Sequence, residues 1–276
     1  MQLPDVAPLH FSLDGGLAHL ELDHGKANEM GRDCVAAFER LCAWLEEGHA
    51  RVLLTTSRKR TSKGTPIFIS GANVTERREW TEDAVKAHVR WQRATLARLR
   101  RAPVFHVAVV DGLALGWGTE FLLTCDYRIA APAARMGLPE TGLGILPGAG
   151  GASELPSLVG LPQALRLGLT GELVDAAEAA RIGLVDECAE SADAALARAR
   201  GLAAKVLRKS PTSVGAYKAA AQGSLGLPEE ARRDLEARAY EHCVAGGDAA
   251  VGRANFEAIV SGSGDVPWGA FRPWRP

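Results

Sequence analysis

Two glutamates in this sequence stand beside unusual backbone. Glu120 follows the glycine-punctuated stretch Gly116-Trp117-Gly118 by two residues, and Glu140 lies in the bend Leu138-Pro139-Glu140-Thr141-Gly142. Paired carboxylates can hold one water. One accepts a proton from it and the other delivers a proton to carbon, provided that burial and mutual repulsion separate their pKa values. Glutamates so far apart in sequence are ordinarily two parts of a solvated surface, so their neighbours must carry the argument.

Those neighbours are three glycine-rich places: Ser70-Gly71-Ala72, Gly116-Trp117-Gly118 and Pro139 to Gly151, which reads PETGLGILPGAGG. Taken singly, each is a tight turn. Taken together they suggest more, because a turn that follows a strand and opens a helix leaves backbone N–H groups unpaired and pointing outward. Two such turns facing one oxygen would stabilise an enolate on a thioester carbonyl more than they stabilise the substrate. Ala72 N–H and Trp117 N–H are the natural donors.

Other chemistries find little support. There is no GxxxxGK[ST] loop, and no GxGxxG that follows a strand and opens a helix, so no nucleotide phosphate cradle is expected. The seven histidines form no HExxH and no short cluster with cysteine, so no metal site is expected. The five cysteines are an odd number without a CxxC pair, as in small buried hydrophobes of a reducing compartment.

The elements that must position these groups follow from periodicity. Leu17 to Leu22, Val52 to Ser57 and Val104 to Val110 read as strands. Val35, Phe38, Cys42 and Leu45 form an apolar stripe along a helix from Arg32 to Glu47. The short run Pro66 to Ile69 leads into Ser70-Gly71-Ala72-Asn73, and a long helix from about Thr81 to Arg101 is stopped by Pro103. After Ala192 the chain turns helical: Ala192 to Lys209, Pro211 to Gln222, Pro228 to Ala245 and Asp248 to Val260. The class is α/β with an appended helical layer for packing or assembly.

The 276 residues are 47% hydrophobic and 24% charged, enough apolar material for a sizeable core. Thirty-two Lys plus Arg against 33 Asp plus Glu leave a net charge of −1, which gives no general field for nucleic acid. No apolar run reaches the roughly 18 residues of a membrane helix, and Met1 to Pro8 shows no signal-peptide pattern. A soluble cytoplasmic protein without membrane contact is expected.

The ordered motifs Gly25-Lys26-Ala27-Asn28, Phe68-Ile69-Ser70-Gly71-Ala72-Asn73, Asp111-Gly112, Ala114 to Glu120, Leu138-Pro139-Glu140 and Gly142 to Gly151 resemble the enoyl-CoA hydratase/isomerase, or crotonase, superfamily. The likeness continues through Ser210-Pro211 and Lys218, covering about residues 8 to 260. It implies a spiral of repeated ββα units over residues 1–195 and a helical C-terminal trimerisation region over 196–276, assembled as a homotrimer or homohexamer. It further implies that Glu120 activates water, that Glu140 delivers a proton at the α-carbon, and that Ala72 and Trp117 are the oxyanion donors. Lys26 and Ala27 would contact the coenzyme A portion of an acyl-CoA thioester. Ser70, Gly71, Val74 and Gly116 would line the substrate channel. Coenzyme A belongs to the substrate, and no metal or separate cofactor is implied.

Three departures qualify the match. Trp117 stands where the family usually has glycine, so its indole should fill part of the acyl pocket or turn outward against a neighbouring element. Asn73 replaces a common Asp, and Gly252-Arg253-Ala254-Asn255-Phe256 replaces the usual closing pattern. The tail Pro267 to Trp274, with two Trp and a Phe, has three readings: a cover for the site, a contact with another subunit, or packing on its own domain. Rival functions are a crotonase-fold isomerase, decarboxylase or thioester hydrolase. A non-enzymatic rival is an RNA-binding homologue using Lys86, Arg90, Arg93, Arg98, Arg100 and Arg101.

Overall fold

A computed structural model describes residues 2–275; Met1 and Pro276, the outer limits of the two expected regions, lie outside the described residues. The chain opens with a hairpin, β1 (His10–Asp14) and β2 (Leu17–Leu22), joined through Gly15 and Gly16 at φ 55° and 90°. Both positions need the left-handed backbone that glycine adopts without strain. The sequence pattern did not mark β1, an edge strand exposed on one face that lacks a long apolar run.

Helix α1 (Arg32–Glu46) follows the expected stripe, with Val35, Phe38, Cys42 and Leu45 all buried. Next come β3 (Val52–Ser57), β4 (Ile67–Ile69) and α2 (Glu82–Arg101), whose N-cap Thr81 side chain accepts from Ala84 N–H. The pattern repeats with β5 (Phe105–Val110), β6 (Leu113–Leu115) and α3 (Trp117–Leu122). A third turn adds β7 (Tyr127–Ala130), β8 (Arg135–Gly137), a 3-10 turn over Pro139–Leu143, α4 (Leu155–Val159) and α5 (Leu161–Thr170). Short β9 (Val174–Asp175), α6 (Ala176–Arg181) and β10 (Glu187–Cys188) close the core.

Each ββα turn sends one strand into each of two sheets. The six-stranded sheet has the order β1-β2-β3-β5-β7-β10, parallel except for the β1–β2 hairpin. The four-stranded sheet runs β4-β6-β8-β9, with β4, β6 and β8 parallel. This is the expected spiral, and it puts the C-terminal ends of β4, β6 and β8 side by side.

Helix α7 (Ala192–Leu207) spans the expected division at residues 195 and 196. It presses Ala195, Ala199 and Ala203 onto Val52, Leu54, Val107, Val109 and Ile129 of the larger sheet. Helix α8 (Pro211–Gly223) is fastened by Lys218, whose Nζ donates to Asp126 Oδ2 at 2.7 Å and to Val104 O at 2.9 Å. Helix α9 (Glu229–Ala245) follows as expected. The helix expected from Asp248 to Val260 is two helices, α10 (Asp248–Ala254) and α11 (Phe256–Ser261). They part at Asn255, whose Nδ2 competes for the Val251 carbonyl at 2.9 Å, the local habit that makes Asn a poor interior helix residue.

The tail packs on its own chain. Trp268 Nε1 donates to Arg208 O at 2.9 Å, and Phe271 lies so close to Gly48 that a β-carbon there would meet its ring at 2.0 Å. No helix among the described residues is long and apolar enough to cross a membrane.

Candidate active site

Three adjacent parallel strands deliver the candidate groups to one edge of the smaller sheet. β4 runs into Ser70-Gly71-Ala72, β6 into Gly116-Trp117, and β8 into Leu138-Pro139-Glu140. Pairings of Ile69 with Ala114 and of Leu115 with Gly137 set the three turns level with one another. The crevice beyond the C-terminal ends of parallel strands is where such folds bind ligands.

Glycine lets the turns approach. A β-carbon on Gly118 would lie 2.4 Å from Ile69 O, so α3 starts directly against the strand that enters the first turn. Gly116, at φ 50° and ψ −116°, occupies backbone space closed to other residues, and a β-carbon there would lie 2.4 Å from Glu140 Oε1. The Glu140 carboxylate therefore rests on the turn that carries Trp117.

The two proposed donors lie just past the ends of β4 and β6. Met30 N–H donates to Gly71 O at 2.9 Å and Asn73 N–H to Met30 O at 2.9 Å. That bridge uses the flanking peptides and leaves Ala72 N–H on its other side. Trp117 is the first residue of α3, where an N–H has no intrahelical acceptor. Thr119 pins the second turn from within, its hydroxyl lying 2.8 Å from Ala114 O and accepting from Gly137 N–H at 3.1 Å.

Glu120 is 3% exposed. Its Oε1 accepts from Ala149 N–H at 2.7 Å and Gly151 N–H at 2.9 Å. Burial raises its pKa, while the N–H groups of Gly151, Ala149 and Gly150 and the charge of Arg93 pull the other way. Glu140 is half-buried, and its Oε2 is buried with no partner among the described residues. Burial pushes it up to about 7, with the charge of Glu120 adding to the rise and its own backbone N–H opposing it. Burial raises both carboxylates, and they differ in their partners: backbone N–H groups hold Glu120 Oε1, while Glu140 Oε2 has none among the described residues.

The first turn is tied to the Gly25-Lys26-Ala27-Asn28 segment. Ser70 N–H donates to Ala27 O at 3.1 Å, and buried Asn28, at φ 55°, donates through Nδ2 to Phe68 O at 2.8 Å and Ser57 Oγ at 3.0 Å. Lys26 is exposed, as is Val74, whose N–H closes a tight turn onto Ala72 O. Ala27, Ser70, Gly71, Ala72, Gly116 and Trp117 thus form one connected framework, while Lys26 and Val74 stand at its rim. The indole of Trp117 turns inward. It stacks on Phe121 at 5.9 Å and tilts against Phe38 at 5.8 Å, with Nε1 buried and unpartnered among the described residues.

Sequence reasoning missed the cradle of Glu120. Ala149 and Gly151 lie inside the glycine-rich stretch, but nothing in their types marks them as donors to a side chain 29 and 31 positions earlier. Arg93, read only as part of a cationic helix, donates from Nε to Gly148 O at 2.8 Å.

Residues 26–258 match the enoyl-CoA hydratase/isomerase family, and the fold is that of the crotonase superfamily. The chain is 34% identical over 248 residues to human enoyl-CoA hydratase domain-containing protein 2, mitochondrial, covering 88% of this chain and 83% of the relative. It is 37% identical over 179 residues to enoyl-CoA isomerase/hydratase fer4 of Mycosarcoma maydis, 64% of each chain. Among solved structures, enoyl-CoA hydratase from Bacillus anthracis superimposes with a TM-score of 0.84 at 28% identity, covering 93% of this chain and 97% of that one. DspI of Pseudomonas aeruginosa superimposes with a TM-score of 0.84 at 31% identity, covering 97% and 98%. The chain belongs to the enoyl-CoA hydratase/isomerase family.

Proposed function

We propose that this protein is an enoyl-CoA hydratase, adding water across the 2,3 double bond of a trans-2-enoyl-CoA to give a 3-hydroxyacyl-CoA. The observation that carries the reading is that two carboxylates near enough to repel each other, buried Glu120 bound by backbone N–H groups and half-buried Glu140 resting against Gly116, stand beside the turn that opens α3 at Trp117. Glu120, whose charged form is held by backbone donors, takes a proton from water as its oxygen bonds to C3. The displaced electron pair moves through C2 to the thioester oxygen, where Ala72 and Trp117 N–H hold the enolate. Glu140, half protonated near neutrality, returns a proton to C2. Lys26 meets a phosphate of coenzyme A at the rim, with Ala27, Ser70, Gly71, Val74 and Gly116 along the channel. Trp117 limits the acyl group by filling volume behind its own backbone N–H.

The test follows loss of the conjugated thioester absorbance with crotonyl-CoA and with longer and branched enoyl-CoAs. Turnover of at least one, abolished by both Glu120→Gln and Glu140→Gln, supports the reading; binding of CoA esters with no 2-enoyl substrate consumed overturns it. Isomerisation is the second reading, favoured by the proton-holding Glu140 and by the name of the fungal relative. Turnover of 3-enoyl-CoA alone would select it. A homotrimer or homohexamer is also proposed, supported by a concavity of about 950 Å³ between α8, α9 and α10 where Tyr217 and Tyr240 stand 78% and 71% exposed. Sedimentation measures the assembly.

A further inference from the structure

The cationic face of α2 reaches the loop that holds Glu120. Arg93 Nε donates to Gly148 O at 2.8 Å, and the same peptide unit continues as Ala149 N–H, which donates to Glu120 Oε1 at 2.7 Å. Two turns along the helix, Arg100 pairs with Glu154, whose own N–H returns to Gly150 O at 2.7 Å. Val89, one turn before Arg93, lies against Gly148, where a β-carbon would meet its Cγ1 at 2.9 Å. One stripe of α2 therefore holds the loop from Gly148 to Glu154 at both ends.

The two straps differ in what they touch. Arg100 grips a side chain beyond the cradle. Arg93 places a cation on a carbonyl whose partner N–H is bonded to the carboxylate, so the peptide between them is polarised in the direction that strengthens that hydrogen bond. The charged groups acting on Glu120 are Arg93 from α2 and Glu140 from the bend after β8; Glu154, the nearest acid on the loop, is engaged by Arg100.

We propose that Arg93 is a positioning residue for Glu120, acting through the Gly148–Ala149 peptide to strengthen the hydrogen bond that fixes Oε1 of its carboxylate. This deepens the hydratase reading and rests on it for the role of Glu120. Arg93 touches neither substrate nor reacting atoms in this scheme. Its side chain is exposed and serves the site from behind the loop.

The experiment titrates Glu120 directly by carbon NMR of protein labelled at the glutamate carboxyl carbon, with Glu120→Gln identifying the resonance. Arg93→Gln is expected to move the Glu120 midpoint to higher pH, because removing the cation weakens the donor that stabilises the charged form. Arg93→Lys restores part of the shift. Arg100→Gln, which removes the other strap, leaves the midpoint in place. With crotonyl-CoA, Arg93→Gln moves the acid limb of kcat/KM upward and costs about threefold on that limb, with the plateau retained. A midpoint in Arg93→Gln equal to that of the wild type overturns the proposal. An equal shift in Arg100→Gln also overturns it, by reducing Arg93 to a general brace of the loop. If the wild type hydrates no 2-enoyl-CoA, the hydratase reading fails while the NMR titration still decides what Arg93 does.

Discussion

The two carboxylates sit in two differently made regions. Glu120 lies in a closed cradle: 3% exposed, with two N–H groups on one oxygen and an arginine behind the loop that supplies them. Glu140 lies in an open bend, with one oxygen against Gly116, the other unpartnered among the described residues, and Leu143, Ile145 and Leu146 exposed just beyond. Burial raises both; three loop N–H groups and Arg93 favour the charged form of Glu120, against a single N–H, its own, at Glu140. Identical side chains thus stand in different hydrogen-bonding surroundings set by backbone geometry.

The sharpest break of this contrast is chemical. Glu120→Gln and Glu140→Gln are each expected to lower kcat for hydration by about a thousandfold, since general acid–base groups contribute on that scale. If one of them retains hydration, the division of labour is wrong. Next comes Gly116→Ala, which places a β-carbon 2.4 Å from Glu140 Oε1 on backbone at φ 50°. Displacement of both the carboxylate and the Trp117 N–H should cost about a hundredfold in kcat, measured by the same absorbance assay. Gly151→Ala probes the other region: a β-carbon there would meet Pro147 at 2.4 Å and crowd Glu120 Oε1 at 3.3 Å. A loss of about tenfold in kcat with an acid limb moved upward is expected, because the cradle loosens without losing its carboxylate.

A fourth prediction concerns stability and has the smallest effect. Glu140 is raised from 4.5 to about 7, so the folded protein binds its proton more tightly than the unfolded chain. The sign follows: stability from this group is full below 4.5 and declines as pH rises toward 7. Glu140→Gln should therefore unfold at a higher temperature than the wild type at pH 8, and the gain should vanish below pH 4.5, as read by calorimetry. In activity the same group acts as an acid, so the rate should fall as pH rises through about 7.

The legible parts of the fold were those written locally. Leu17–Leu22 and Val52–Ser57 are strands as read, and α2 starts after its Thr81 cap and ends before Pro103. Short β8 and the helices α4 to α6 gave no such signal, because three to ten residues between turns hold too little periodicity. The same distinction runs through the candidate site. Glu120, Glu140 and the glycine turns are conspicuous as residue types, whereas Asn28 shows its part only when Nδ2 is seen holding Phe68 O across 40 positions.

Chain order alone specifies the alternation of short strands with helices, the three glycine turns and the two acids beside them, because turn chemistry and apolar spacing are local. It does not specify which strands become neighbours. Only the register of β4, β6 and β8 brings the three turns level. Only the return of the Gly148–Gly151 loop beneath α2 gives Glu120 its donors and Arg93 its place. A hydrogen bond or a charge acts over a few ångströms of space whatever the distance along the chain, so the proton affinities of the two glutamates belong to the folded molecule.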